Sequence, residues 1–331
     1  MKKLRAFIIF IFIPLIAGYL VASSQQHKPM IKNNLNFTIN NVLPTDRITL
    51  VEDGKIISVT HASVTSHPTN KPLLIETIPF GSNFIGVDKQ LNYSSLYEFS
   101  STGSEVKTLQ DGNTGNIDTM NWYTDPALSL NQNELAFVSD RDKDRTNVQD
   151  NALFVQNLTD GTLQKIADPD PNSGGIADPV WNPVDPQSIT YDYYQYDKDY
   201  SPYSIIEEFN LQSQNTVDLT TQEQNAYQGS FSPDGKQFIF LERNNNSTPI
   251  MAIADVTDSG LSNVHALGIG DFAYPEFSNT PNTIYYLEAQ GNNGYDLYSA
   301  QIVGGKITNP AQISTGAQLL ANSGFMISRN K

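Results

Sequence analysis

Along most of the chain, apolar residues either alternate with polar ones or gather in short β-branched and aromatic runs bounded by turn residues, a pattern of period two that predicts β-strands. Four segments repeat one arrangement: an apolar anchor, a turn rich in Ser, Pro, Asp, Asn or Gly, and a run that ends on an aromatic residue. They are Leu128–Phe137 (LSLNQNELAF), Trp181–Tyr191 (WNPVDPQSITY), Phe231–Phe240 (FSPDGKQFIF) and Phe277–Tyr286 (FSNTPNTIYY), with anchors 53, 50 and 46 residues apart. Each is followed by a third strand that ends on a polar residue, at Asn157, Asn210, Asp255 and Gln301, then by a turn and a fourth short strand. Four strands in every repeat is the signature of a propeller blade.

A weaker copy covers residues 73 to 109, with strands near Leu73–Ile78, Phe84–Asp88, Ser94–Phe99 and Glu105–Leu109. The two ends then complement each other. Ile48–Thr60 (ITLVEDGKIISVT) reads as a third and fourth strand, and Gln318–Ser328 (QLLANSGFMIS) as a first and second. The expected fold is therefore all-β: a six-bladed β-propeller of four-stranded antiparallel blades, its ring closed by strands from both termini. Sharing a blade between the ends removes an open sheet edge that would otherwise template aggregation. Two packed β-sandwiches would explain the frequent turns, but neither the four-strand period nor the complementary ends.

Ahead of the repeats, Lys2, Lys3 and Arg5 precede an uncharged stretch from Ala6 to Ala22 with small residues at its exit. This predicts a signal peptide or N-terminal anchor over residues 1–22, and so an exported protein, periplasmic or secreted. Residues 23–44, rich in Asn, Gln and Pro, read as a linker or docking strand, and residues 45–331 as the propeller. The 331 residues carry 35 acidic against 20 basic side chains, a formal charge of −15, which argues against nucleic acid as a partner. Zero cysteines exclude thiolate–zinc sites, iron–sulfur clusters, thiol catalysis and disulfides.

The Ser-Pro-Asp-Gly-Lys stretch at 232–236, set between an apolar anchor and Phe-Ile-Phe, resembles the repeat of TolB-like propellers, a repeat also found in the propeller domains of prolyl-oligopeptidase-type peptidases. The resemblance implies a six-bladed propeller over residues 45–331 and, by its TolB side, a non-catalytic protein that binds a protein or peptide. No Gly-x-Ser-x-Gly nucleophile elbow occurs in the chain.

Candidate chemistry concentrates in the connections between second and third strands of two neighbouring blades. Both contain Asp-Lys-Asp, at 142–144 and 197–199, and residues 110–126, 139–151, 167–179 and 192–200 together carry a net −9. Such a rim favours a basic partner or a divalent cation. Six of the sixteen tyrosines fall between Tyr191 and Tyr203. Tyr191 and Tyr193 continue a strand, whereas Tyr196, Tyr200 and Tyr203 are contact candidates, rigid and amphipathic. The expected binding residues are Asp142, Asp144, Tyr196, Asp197, Asp199, Tyr200 and Tyr203. Asp140, Asp142 and Asp144 alternate as ligands of a Ca²⁺ loop do, although Arg145 stands where that loop has Gly. No other cofactor is expected, and the protein is expected to be a monomer. The alternative is a Ca²⁺-dependent six-bladed lactonase or esterase with a channel metal, for which Asp125, Asp178 and Glu276 are the nearest ligands. The four histidines show no ligand spacing, and Trp122 and Trp181 read as wedges between blades.

Overall fold

The computed structural model describes residues 38–39, 42–52, 54–142, 151–170, 174–243, 248–290, 294–315 and 326–327. The predicted export segment lies outside them. Six four-stranded antiparallel blades form a ring. The first takes Leu74–Phe80, Asn83–Lys89, Ser94–Phe99 and Glu105–Gln110, close to the predicted strands. In the second to fifth blades the innermost strands are Tyr123–Leu128, Gly175–Trp181, Ala226–Phe231 and Phe272–Phe277. Each ends on one of the four predicted anchors.

These four inner strands share one irregularity. Two residues, 125–126, 178–179, 228–229 and 274–275, face a single partner on the second strand: Phe137, Tyr191, Phe240 and Tyr286 in turn. The first residue of each pair is left-handed, with φ of 52°, 48°, 52° and 47° at Asp125, Asp178, Gln228 and Tyr274. The second is Pro in three blades, where a bulge asks for no ladder N–H. In the fourth it is Gly229, against which a Cβ would come within 2.2 Å of the Phe238 ring. The facing aromatics are buried, and Phe137, Tyr191 and Phe240 sit in the apolar clusters that join neighbouring blades.

Blades pack face to face through apolar clusters. Ile78, Ile85 and Val87 of the first blade meet Tyr123, Phe137 and Phe154 of the second. Ala127, Val138 and Leu153 of the second meet Trp181, Tyr191 and Ile205 of the third, with the Trp181 indole N–H donating to the Ala127 carbonyl at 3.1 Å. Trp181 is thus the expected wedge.

The sixth sheet draws on both ends of the chain, in an order that differs from the expected one. Met326–Ile327 pairs with Arg47–Glu52, followed by Lys55–Thr60 and Val64–Pro68. Residues 48–60 are therefore second and third strands rather than third and fourth. A hairpin of alternating residues reads the same in any adjacent pair of positions, so its pattern alone could not place it. Just before it, Thr38–Ile39 pairs with Ser314–Thr315 beside the fifth blade.

Asp46 fastens this chain start. It is 3% exposed; its carboxylate accepts from the Ser278 hydroxyl (2.6 Å), the Tyr285 hydroxyl (2.9 Å) and the Asn279 N–H (2.9 Å). In the fourth blade the equivalent turn serine, Ser232, donates to Asp234 two residues on. The fifth blade has Thr280 at that position, and a carboxylate from 232 residues upstream takes its place. The departure of the fifth turn from Ser-Pro-Asp-Gly thus has a structural reason. Asp46→Ala removes the acceptor of two buried hydroxyls and one half-buried N–H and should lower unfolding free energy by about 3 kcal/mol, whereas Asp46→Asn, which keeps one acceptor, should cost less. Urea denaturation of the two variants measures the difference.

Candidate functional site

The inner strands of five blades bring polar side chains to the inner wall, and in four of them the left-handed bulge leaves a backbone N–H that cannot find a ladder partner and must be satisfied otherwise. Each is satisfied from the preceding blade. The Glu76 carboxylate accepts from the Asp125 N–H at 2.8 Å, and the Asp125 carboxyl accepts from the Asp178 N–H. Asp178 is hydrogen-bonded to the Asp192 carboxyl, whose Oδ2 accepts from the Gln228 N–H at 2.7 Å. Gln228 Oε1 accepts from the Tyr274 N–H at 3.0 Å, and Glu276 Oε2 from the Ile327 N–H at 3.0 Å. A belt of side-chain-to-backbone bonds thus runs from the first blade to the sixth.

The belt lines a cavity of about 390 Å³ on the axis of the ring. Glu76, Asp125, Asp178 and Tyr274 form its polar part, and Pro79, Pro126, Pro179 and Pro275 much of its apolar wall. It extends to the turns between first and second strands, at Gly81, Leu130 and Pro183. Burial raises the carboxyl groups: Asp125 is pushed up to about 6, and Glu76 stands well above its usual range, with repulsion from Asp125 adding to burial. Burial and repulsion from Asp125 push Asp178 up to about 8, with the Asp192 contact pulling the other way, and burial with repulsion from Asp178 holds Asp192 well above its usual range. The Lys89 ammonium, pulled down to about 8 by burial, is held back from a further fall by Glu76 and Asp125. The Tyr194 and Tyr274 hydroxyls face the same carboxyls and stay protonated.

The expected site residues take several different positions. Asp125, Asp178 and Glu276 do line one cavity, as the channel-metal alternative requires. Asp125, Asp178 and Asp192, counted above as rim charge, sit instead in strands of the wall. Asp140 is buried and accepts from the Trp122 N–H at 2.7 Å, whereas Asp142 is exposed beside Arg141. Asp144 lies outside the described residues. Among the described residues no group of three or more His, Asp or Glu side chains is arranged to hold a metal ion.

Tyr196, Asp197, Asp199, Tyr200 and Tyr203 do come together, at the tip of the hairpin formed by Ser188–Tyr196 and Pro202–Asn210. The Asp197 carboxylate accepts from the Asp199 and Ser201 N–H groups, both at 2.8 Å, and the Tyr203 hydroxyl donates to Gln195 at 2.6 Å. Tyr200 caps this tip with 85% of its surface exposed. The hairpin and the 139–151 connection both join second to third strands of adjacent blades, so they leave the ring on one side. The cavity extends to the other side, that of the first-to-second turns.

No known protein-family profile matches the chain, and no curated protein matches it in sequence. Solved structures do match. TolB from Acinetobacter baumannii superposes with a TM-score of 0.58 at 16% identity, over 82% of this chain and 67% of that one. The fold is the TolB-like six-bladed propeller. A putative TolB from Agrobacterium tumefaciens matches with a TM-score of 0.53 at 15% identity, over 71% of this chain and 81% of that one. An oligogalacturonate lyase in complex with manganese matches at 0.56 and 12% identity, over 82% and 77%. The TolB-like architecture is thus shared with an enzyme, and at these identities the likeness concerns the fold.

The charged positions of the belt were partly visible in the sequence; its use of Gln228 and Tyr274 was not. One signal would have found them: a polar residue or tyrosine three positions before each anchor, followed by Pro or Gly. Gln228 is buried and supplies the acceptor for the fifth blade, so Gln228→Ala should cost about 1–3 kcal/mol in urea unfolding. Lys236→Ala, on the exposed fourth-blade turn, should change stability by less than about 0.5 kcal/mol.

Proposed function

We propose that the chain is an exported, non-catalytic TolB-like propeller that binds a protein or peptide segment, basic in character, on the side of the ring that carries the tyrosine hairpin. Its contact residues are Tyr196, Asp197, Asp199, Tyr200 and Tyr203, joined by Asp142 and Asp144 of the neighbouring connection. The observation that carries this reading is the presentation of Tyr200: an almost fully exposed aromatic ring on a turn already fixed by the Asp197 carboxylate. An aromatic anchor held rigid before binding loses little entropy when it is covered, and aromatic anchors dominate interface energetics. Acidic neighbours at Asp199 and Asp142 add attraction for a basic segment, mainly through the association rate.

A photo-cross-linking residue placed at position 200 should form an adduct with a partner in the native extract, and one placed at Leu130 beside the cavity should not. Adducts from 130 alone would move the binding site to the opposite side of the ring. Capture should weaken as salt is raised, because rim charges are screened within about 10 Å at 0.1 M salt.

A second reading has one observation in its favour: Asp125, Asp178 and Glu276 line a single cavity. A propeller hydrolase with a channel Ca²⁺ would use them as ligands. A metal bound by the native state alone raises the unfolding midpoint. Under the binding reading, midpoints with millimolar calcium and with excess chelator coincide; a clear rise with calcium would favour the hydrolase.

A further inference from the structure

Away from the channel, one buried carboxylate is matched on only one side. Asp88, near the end of the first blade's second strand, is 3% exposed. Its Oδ2 accepts from the Gln90 side-chain amide at 2.7 Å, whereas its Oδ1, equally buried, meets no hydrogen-bond donor among the described residues. No ion pair offsets its charge among them either. The two lysines at this end of the blade are engaged elsewhere. Lys71 bonds Glu105 at 3.3 Å and lies over the Tyr97 ring, and Lys89 faces Glu76 and Asp125 with its ammonium 5.7 Å from the centre of the Trp122 ring.

The surroundings of Asp88 supply oxygen atoms. In the sheet it stands directly opposite Ser95 of the third strand, and residues so opposed share a face, with Cβ atoms about 5 Å apart. The Ser95 hydroxyl accepts from the Gly112 N–H at 3.0 Å and donates to the Asp111 carboxylate at 3.3 Å, which brings Asp111 to the same end of the same face. Asp111 is itself exposed, so water screens its charge. On the other flank Asp88 stands opposite Leu74, and the Lys89 N–H donates to the Leu73 carbonyl at 3.0 Å.

A water molecule would satisfy the lone pairs of Oδ1 and leave the buried negative charge unopposed, which is strongly unfavourable; a cation satisfies both. One buried charge calls for one positive charge, and carboxylate and hydroxyl oxygens are hard donors. A divalent ion asks for six or more oxygens, several of them acidic, and no group of three acids is arranged for that among the described residues.

We propose that Asp88 and Asp111, with Ser95 between them, hold a monovalent cation, sodium, between the first blade and the connection that follows it. The ion ties the root of the 90–93 turn to residues 111–113, on the side of the ring that also carries the tyrosine hairpin, since both turns join second to third strands.

The test uses the whole chain, with chelator in excess so that calcium plays no part. Exchanging choline chloride for sodium chloride at constant ionic strength should raise the thermal unfolding midpoint by about 3 °C, because an ion bound by the native state alone stabilises it. The sodium NMR line should broaden when the protein is added. Asp88→Asn should abolish both responses, and Asp111→Asn, at an exposed position, should weaken sodium binding several-fold. Equal midpoints in the two salts, or a sodium line that stays narrow, would mean a bound water only and overturn the proposal. So would responses that Asp88→Asn leaves intact. If that variant fails to fold, Asp111→Asn decides: a sodium affinity it does not change overturns the proposal.

Discussion

Six strands that converge on one axis cannot all complete their ladders, and the amides left over at the inner wall constrain everything outside them. Here the answer is a repeated bulge. A left-handed residue turns its N–H toward the preceding blade, where a carboxyl or amide side chain accepts it. The bulge also sets one large aromatic, Phe137, Tyr191, Phe240 or Tyr286, opposite two backbone positions, and the first three fill the gap to a neighbouring blade. Backbone satisfaction at the wall and packing between blades are therefore one device. Its cost is the burial of several carboxyl groups, some of which stay neutral as a result.

That inner device frees the outer connections. With the wall held from blade to blade, the hairpin between residues 188 and 210 can project nine-residue strands beyond its neighbours without loosening the ring. Its tip is ordered by the Asp197 carboxylate and by the Tyr203–Gln195 bond. The two ends of the channel consequently differ in character: an apolar, proline-walled cavity toward the first-to-second turns, and an aromatic, acidic hairpin on the other side.

Much of this is legible in the sequence. The spacing of the apolar anchors reports the bulge-and-aromatic device directly, since each anchor ends an inner strand and each segment closes on the aromatic opposite the bulge. The blade count and the fold followed from that period, and Asp125, Asp178 and Glu276 were recognised as channel residues. The closing sheet was misread in its order because the alternation in residues 48–60 carries no mark of distance from the axis. Asp192 was counted as rim charge because it sits among tyrosines that resemble a surface loop, yet the strand carries it into the wall. Asp46 leaves no local signal at all: its partners lie 232 to 239 residues away, in the turn at Ser278 and on the strand at Tyr285.

Amide hydrogen exchange at Asp125, Asp178, Gln228 and Tyr274 tests the belt most directly. These N–H groups sit beside a cavity, outside any regular ladder, and side chains of neighbouring residues are their acceptors. The account predicts protection comparable to the buried second strands, opening only with global unfolding. Exchange as fast as that of the exposed turn amides at Asn133 or Lys236 would contradict it.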